Sequence, residues 1–278
     1  MTVEIHSLLD LESRYDAIVL DQWGVLHNGS RPYAGASQCL GSLADRGQCV
    51  AVLSNSGKRA DPNLQRLVDL GFSEDHFSLV MTSGEALWLD ISNRKVPEER
   101  FFAVERTVGD AEDWAAGLDL ELVSDIDQAD AVLLMGLPDG TTIDAWLPVL
   151  NKAGDRQLKL YCSNPDIASP RADGLVVSPG ALAHRYEQNG GQVVYYGKPH
   201  RPVFDTLQSL LGARDMLMVG DSLHHDIAGA HAAGWDSVLV LGGLLADKFE
   251  NGHAEDKLES LLAEENCPAP TYTIGLLQ

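Results

Sequence analysis

This chain repeatedly alternates short apolar strands with helical segments, and that pattern restricts its fold to a few classes. The run AIVL is followed by Asp21, CVAVLS ends in Ser54, and MLMVG is followed by Asp221. Alternating strands and helices favour a mostly parallel sheet, in which ligands bind at the carboxyl ends of the strands. The sequence therefore predicts an α/β fold with a Rossmann-like parallel core sheet and polar side chains along one edge.

A second, smaller α/β pattern interrupts the first. Its predicted strands are FFAVER, LELVSD, DAVLLMG and KLYCSN, after which the first pattern returns. A chain of 278 residues is long enough to form two domains. We predict a core formed by residues 1–84 and 176–278 and an inserted α/β cap domain at residues 85–175, which would shape the substrate pocket by closing over it.

Charge and composition exclude several classes of partner. The formal net charge of −21 disfavours nucleic acid, and no apolar run approaches the roughly 20 residues of a membrane-spanning helix. The N-terminal sequence lacks the pattern of a secretory signal, and the four cysteines lack CxxC spacing. We therefore expect a cytoplasmic protein with reduced cysteines and neither a nucleic-acid nor a membrane partner.

The predicted strand ends carry a set of groups suited to phosphate chemistry. They would supply a carboxylate nucleophile, a hydroxyl and an amide for phosphate oxygens, an ammonium and a further carboxylate for a cation. These groups belong to Asp21, Ser54, Asn55, Lys198 and Asp221.

Each of these residues also has an ordinary structural interpretation. Lys198 is compatible with a surface lysine before a turn, and Ser54 and Asn55 with a helix cap. Asp226 is compatible with the N-cap of the helix that follows it. The sequence alone leaves these alternatives open.

Four motifs carry a resemblance to a known family. They are Asp21-Gln22-Trp23-Gly24-Val25, Leu53-Ser54-Asn55, Gly197-Lys198-Pro199, and Gly220-Asp221-Ser222 with Asp226. With these motifs, and with Asn164-Pro165-Asp166 and Pro179-Gly180-Ala181-Leu182, the chain resembles the haloacid dehalogenase-like superfamily over nearly its whole length. More narrowly, it resembles the class IIA members, which carry a large α/β cap.

The resemblance implies a hydrolase that acts on phosphate groups. Asp21 would attack phosphorus and form an aspartyl-phosphate, and Lys198 would offset the charge between Asp21 and the incoming phosphate. Ser54 and the backbone N–H of Asn55 would bind the nonbridging oxygens.

The resemblance also implies a magnesium ion. Asp21, the backbone carbonyl of Trp23 and Asp221 would hold Mg²⁺. Asp226 would ligate the ion or orient one of its waters, and the loop with Trp23 and Gly24 would face the phosphate. The implied substrate is a phosphorylated small metabolite such as a sugar phosphate or a nucleotide.

Position 23 departs from the family pattern. Phosphatases of the family carry there an aspartate that protonates the leaving group and later activates water, and Trp23 cannot do either. One outcome is a substrate with a good leaving group, and another is a proton supplied by a cap residue or by His27. The remaining outcomes are a phosphometabolite-binding or regulatory protein with little turnover, and a 2-haloacid dehalogenase.

Two further properties, the role of the histidines and the oligomeric state, are not determined by the sequence. We interpret His27, His200, His224 and His225 as peripheral polar contacts rather than as a metal site. A homodimer formed through the cap is compatible with this kind of chain, but no stripe of residues selects it.

Overall fold

The computed structural model describes residues 2–11, 14–171, 174–243, 245–249 and 254–277. The strands are β1 Val3–Glu4, β2 Ala17–Leu20, β3 Cys49–Ser54, β4 Leu79–Thr82, β5 Arg100–Val104, β6 Glu121–Leu122, β7 Ala131–Leu134, β8 Lys159–Cys162, β9 Ala168–Arg171, β10 Gly174–Val177, β11 Val193–Tyr195, β12 Met216–Gly220, β13 Asp236–Val240 and β14 Tyr272–Ile274. The helices are α1 Ala36–Asp45, α2 Ala60–Asp69, α3 Ser83–Ser92, α4 Asp110–Ala115, α5 Ile143–Asp155, α6 Pro179–Gln188, α7 Arg201–Leu211, α8 Ala228–Ala233, α9 Ala246–Phe249 and α10 Ala254–Glu264.

The chain divides into two compact units. Unit 1 consists of Met1–Ser54, Asp61–Met81 and Lys198–Gln278, and unit 2 of Asn55–Ala60 and Thr82–Gly197. None of the helices in the described ranges combines the length and the apolar character needed to cross a bilayer.

Unit 1 is built on a seven-stranded sheet in the order β1-β14-β13-β12-β2-β3-β4. The pairings from β1 through β3 are parallel. All four residues of β2, which read AIVL, are fully buried, as expected for a strand covered on both faces. Because the strands run in the same direction, the residues that follow β2, β3 and β12 lie at one edge of the sheet.

Unit 2 has its own sheet and core. Five parallel strands follow the order β11-β8-β7-β5-β6, and β9 and β10 form a separate antiparallel pair. Leu134, Leu160 and Tyr186 belong to its buried apolar core. The predicted α/β class, with parallel sheets and a second, smaller α/β unit, is confirmed.

The boundaries of this unit differ from the predicted ones. We predicted a return to the core sheet at residue 176, but β11 pairs with β8, so the second unit extends to Gly197. Residues 55–60, predicted within the core, also belong to unit 2. The local sequence VVY does not indicate which of the two sheets the strand joins, because this depends on tertiary pairing.

Candidate active site

Asp21 lies at the carboxyl edge of the sheet of unit 1. Its backbone N–H donates a hydrogen bond to the carbonyl oxygen of Val219 at 2.9 Å, which continues the pairing of β2 with β12 by one residue. The Asp21 side chain is 16% exposed. The strand is therefore a fixed base for a carboxylate that retains limited access to solvent.

Two further carboxylates follow β12. Asp221 comes directly after the strand and Asp226 lies within one turn of π-helix, Leu223–Ile227, and both are fully buried. Gly220 permits this packing, because a Cβ atom there would lie 2.2 Å from Cβ of Asp226. The N-cap of the turn is Ser222, whose hydroxyl accepts a hydrogen bond from a backbone N–H. Asp226 is therefore not the N-cap of a following helix, which removes one ordinary interpretation of this residue.

Lys198 joins two of these carboxylates. Its Nζ donates hydrogen bonds of 2.7 Å to Oδ1 of Asp21 and 2.7 Å to Oδ1 of Asp226. Only 2% of the lysine is exposed, which excludes its interpretation as a surface residue. Burial by itself would lower the pKa of Lys198, but the two carboxylates reverse that effect and raise it above its usual range.

The three carboxylates form a compact cluster. One oxygen from each of Asp21, Asp221 and Asp226 lies within 4.8 Å of the others. Burial raises the pKa of Asp21, and the ammonium of Lys198 opposes this shift. Three carboxylates around one ammonium leave an excess of negative charge in a poorly solvated place, which a cation would offset.

The donor set suits a hard divalent cation. Carboxylate oxygens are the ligands that Mg²⁺ and Ca²⁺ take in proteins. Gly24 adopts a φ of +85°, and a Cβ atom there would lie 1.7 Å from Oδ2 of Asp221, so the loop backbone passes directly against this carboxylate. Among the described residues, the cluster contains no histidine ligand.

Trp23 is partly buried and packs against residues of its own loop. A Cβ atom on Gly29 would lie 2.2 Å from Cζ3 of the indole, so the glycine leaves space for the ring. The ring of His27 meets the indole in an edge-to-face arrangement, with 6.1 Å between centroids.

His27 was predicted to be a peripheral polar contact, and the structure places it inside the loop. Only 2% of His27 is exposed, and its Nδ1 accepts a hydrogen bond of 3.0 Å from the backbone N–H of Gly29. Burial, with a smaller contribution from Arg66, lowers the pKa of His27 to about 4. The residue is a neutral part of the loop that carries Trp23.

Ser54 and Asn55 divide between the two units. Ser54 ends β3, the neighbour of β2, and therefore shares the sheet edge with Asp21. Asn55 begins the segment assigned to unit 2, where its Nδ2 donates a hydrogen bond of 2.8 Å to Oδ1 of Asp166. The proposed phosphate contacts of the Ser54 hydroxyl and the Asn55 backbone N–H stay predictions.

One contributor to this site was missed in the sequence. Gly243 follows β13, and a Cβ atom there would lie 2.4 Å from Oδ2 of Asp221 and 2.7 Å from the carbonyl oxygen of Gly24. The consecutive glycines after an apolar strand, in VLVLGG, were the available signal. Such a pair indicates a close backbone approach at a strand end.

Comparisons with known proteins identify the family of the chain. The model for haloacid dehalogenase-like hydrolases matches residues 18–112, and a related HAD-hydrolase-like model matches residues 195–263. Chronophin from Rattus norvegicus is 30% identical over 248 residues, which cover 86% of this chain and 80% of that protein.

Solved structures are similar over most of the chain. A hydrolase of the haloacid dehalogenase-like family from Brucella suis superposes with a TM-score of 0.81 at 29% identity and covers 99% of this chain and 100% of that one. Glycerol phosphate phosphatase from Mycobacterium tuberculosis, in complex with magnesium, superposes with a TM-score of 0.68 at 25% identity, covering 86% and 71%. The same phosphatase has also been crystallised with calcium. The chain thus belongs to the haloacid dehalogenase-like family of hydrolases.

Proposed function

We propose that this hydrolase is a class IIA phosphatase that removes phosphate from a small phosphorylated metabolite, such as a sugar phosphate or a nucleotide. The observation that carries the proposal is the contact of Lys198 with both Asp21 and Asp226, beside the third carboxylate of Asp221. Similar proteins named as phosphatases, among them a D-glycerol 3-phosphate phosphatase and a 5′-nucleotidase, support the same reaction class.

In this reaction Asp21 acts as the nucleophile and forms an aspartyl-phosphate. Lys198 orients Asp21 through its 2.7 Å hydrogen bond and reduces the repulsion between this carboxylate and a phosphate dianion. The hydroxyl of Ser54 and the backbone N–H of Asn55 bind nonbridging oxygens of the phosphate. Trp23 and Gly24 lie in the loop beside the phosphate.

Mg²⁺ is the cation that we propose for the carboxylate cluster. Asp21, Asp221 and the backbone carbonyl of Trp23 would hold it, and Asp226 would ligate it or orient a bound water. When bound, the ion would neutralise negative charge on the carboxylates and on the phosphate. The excess of three carboxylates over one ammonium supports this assignment.

Unit 2 is proposed to be the cap that selects the substrate. Its separate parallel sheet and separate core support the assignment as an independent domain. Formation of a homodimer and a cytoplasmic location stay predictions.

A screen of phosphorylated metabolites with Mg²⁺ tests the proposal. The wild type should release inorganic phosphate from at least one of them, and Asp21→Asn should release none. Ligand binding without release in the wild type would instead support a regulatory binding protein. Chloride release from 2-haloacids would replace the proposal with dehalogenation.

A further inference from the structure

The indole of Trp23 is a built-in part of the loop beside Asp21. Gly29, at a φ of +92°, leaves the space that the ring fills, and His27 packs its edge against the ring. An indole carries only a weakly acidic N–H and no basic nitrogen. The side chain two positions after the nucleophile therefore has no proton to give to a leaving group and cannot accept one from water.

Asp21, Lys198 and Asp226 are paired with each other in unit 1. The Asp21 side chain accepts a hydrogen bond from Lys198, which also donates one to Asp226. The second carboxylate oxygen of Asp226 accepts a hydrogen bond of 3.1 Å from the backbone N–H of Ser222. Asp226 is fully buried and both of its oxygens accept hydrogen bonds, so it is not free to protonate a leaving group.

His27 does not replace the missing group. Its Nδ1 already accepts a hydrogen bond from the backbone N–H of Gly29, and only 2% of the residue is exposed. Its ring is turned edge-on to Trp23 at an interplanar angle of 80°. Its Nε2 is also buried and has no hydrogen-bond partner among the described residues, so neither ring nitrogen is open to solvent.

From this arrangement, and resting on the proposed phosphatase function, we infer that the enzyme is selective for phosphate groups whose leaving group departs as a stabilised anion without being protonated. Acyl phosphates and phosphate esters of enols or acidic phenols have such leaving groups. Phosphate esters of ordinary alcohols do not, because an alkoxide is a poor leaving group unless it is protonated as the bond breaks.

The chemical step balances without a general acid. An oxygen of Asp21 forms a bond to phosphorus while the bond between phosphorus and the leaving-group oxygen breaks. The electron pair of that bond departs with the oxygen, which leaves as a carboxylate, enolate or phenolate. Water then attacks the aspartyl-phosphate at phosphorus, restores the carboxylate of Asp21, releases inorganic phosphate and loses its proton to solvent.

A series of substrates that differ in their leaving group tests the inference. With Mg²⁺ present, kcat/KM is measured for acetyl phosphate, p-nitrophenyl phosphate, phenyl phosphate and glycerol 3-phosphate. We expect a steep decrease along this series, with the alkyl ester at least about 100-fold slower than the acyl phosphate, which is the lower end of what general acid catalysis contributes. Similar rates throughout the series would overturn the inference, because they would require a proton donor.

Two substitutions at position 23 separate chemistry from shape. Trp23→Asp should raise the ratio of kcat/KM for glycerol 3-phosphate to kcat/KM for acetyl phosphate by about 10²-fold or more. The asparagine of Trp23→Asn has nearly the same size as the aspartate of Trp23→Asp but carries no transferable proton. Trp23→Asn should therefore keep the steep dependence of kcat/KM on the leaving group that we expect for the wild type. If both variants gain equally on the alkyl ester, the effect of Trp23 is steric and the inference fails.

The outcome also distinguishes this inference from the proposed function. A wild type that releases no phosphate from any member of the series, although it is folded and binds Mg²⁺, contradicts the phosphatase proposal itself. Release that is independent of the leaving group leaves the phosphatase proposal intact and overturns only the selectivity. A shallower series in Trp23→Asp, but not in Trp23→Asn, supports both.

Discussion

Each of the two units places an acid directly after a parallel strand, and they use it differently. Asp21 follows β2 in unit 1 and meets an ammonium and two further carboxylates that come from distant parts of the chain. Glu105 follows β5 in unit 2 and accepts hydrogen bonds from the backbone N–H groups of Gly109 and Ala111, at the beginning of α4. A carboxylate at a strand end is therefore not by itself a catalytic group, because its companions decide its role.

The lysines of the two units show the same contrast. Lys198 is almost completely buried between Asp21 and Asp226, whereas the side chain of Lys159 is 31% exposed and pairs with Glu98 at the same distance of 2.7 Å. A buried ion pair loses the hydration of both charges, so its partners depend on each other far more than the partners of a hydrated pair do. The following predictions test this comparison.

The largest expected effect is on the reaction rate. Asp21→Asn should reduce the rate of phosphate release by about 10⁴-fold or more, because it removes the nucleophile. Glu105→Gln, the matched change at the strand end of unit 2, should leave kcat/KM within about threefold, since Glu105 only caps a helix. Phosphate release under steady-state conditions measures both. Equal losses in the two variants would contradict the distinction between the two strand ends.

The next effect is on stability. Lys198→Met should reduce the free energy of unfolding by about 3–5 kcal/mol, because it leaves two buried carboxylates without their ammonium. Lys159→Met should cost only about 0–1 kcal/mol, since its ion pair is partly hydrated. Urea denaturation in the absence of divalent metal measures both values. A difference of less than about 1 kcal/mol between the variants would show that burial does not increase the dependence of the carboxylates on their lysine.

Metal binding should stabilise only the unit that carries the carboxylate cluster. Mg²⁺ at about 100 times its dissociation constant should add about 2.7 kcal/mol to the free energy of unfolding. Asp221→Asn should abolish most of this gain, whereas Glu112→Gln, an exposed acid on α4 of unit 2, should retain it. Thermal denaturation with Mg²⁺ and with a chelator gives the comparison. If Mg²⁺ stabilised Asp221→Asn as much as the wild type, the ion would bind at a different site.

The smallest effect concerns a carboxylate of unit 2 and depends on pH. Burial would raise the pKa of Glu85, but hydrogen bonds from Arg59 and the N–H of Ala60 outweigh it and lower the pKa below its ordinary value of 4.5. A lowered folded-state pKa contributes stability above the unfolded-state pKa, and this stability is lost as the pH falls through the folded-state value. Glu85→Gln should therefore cost about 1–2 kcal/mol at neutral pH.

Urea denaturation at neutral pH and in steps below 4.5 measures this loss. The difference between the wild type and Glu85→Gln should shrink toward zero at the acid end of the series. The exposed Glu112→Gln serves as the control for the change of a carboxylate to an amide. A difference that does not depend on pH would mean that the charge of Glu85 makes no contribution.

Local sequence predicted the elements better than it predicted their assembly. The strand at Ala17–Leu20 was predicted with its observed bounds, because a short apolar run followed by an acid and a glycine leaves few alternatives. The predicted core boundary at residue 176 assigned residues 193–195 to the wrong sheet, since the membership of Val193–Tyr195 depends on pairing with β8, far away in sequence. The antiparallel pair of β9 and β10 was not predicted.

The candidate site divides in the same way. The amino acids alone fix that position 23 carries an indole and not a carboxyl group, and that a lysine and three aspartates follow or flank predicted strands. The folded structure was needed to show that Lys198 meets Asp21 and Asp226, and that His27 is buried with its ring packed edge-to-face with Trp23. The identity of a side chain sets which protons and charges it carries, and this is local chemistry. Which charges come within hydrogen-bonding distance depends on the crossover connections that bring β2 and β12 side by side, and that is a property of the whole folded unit.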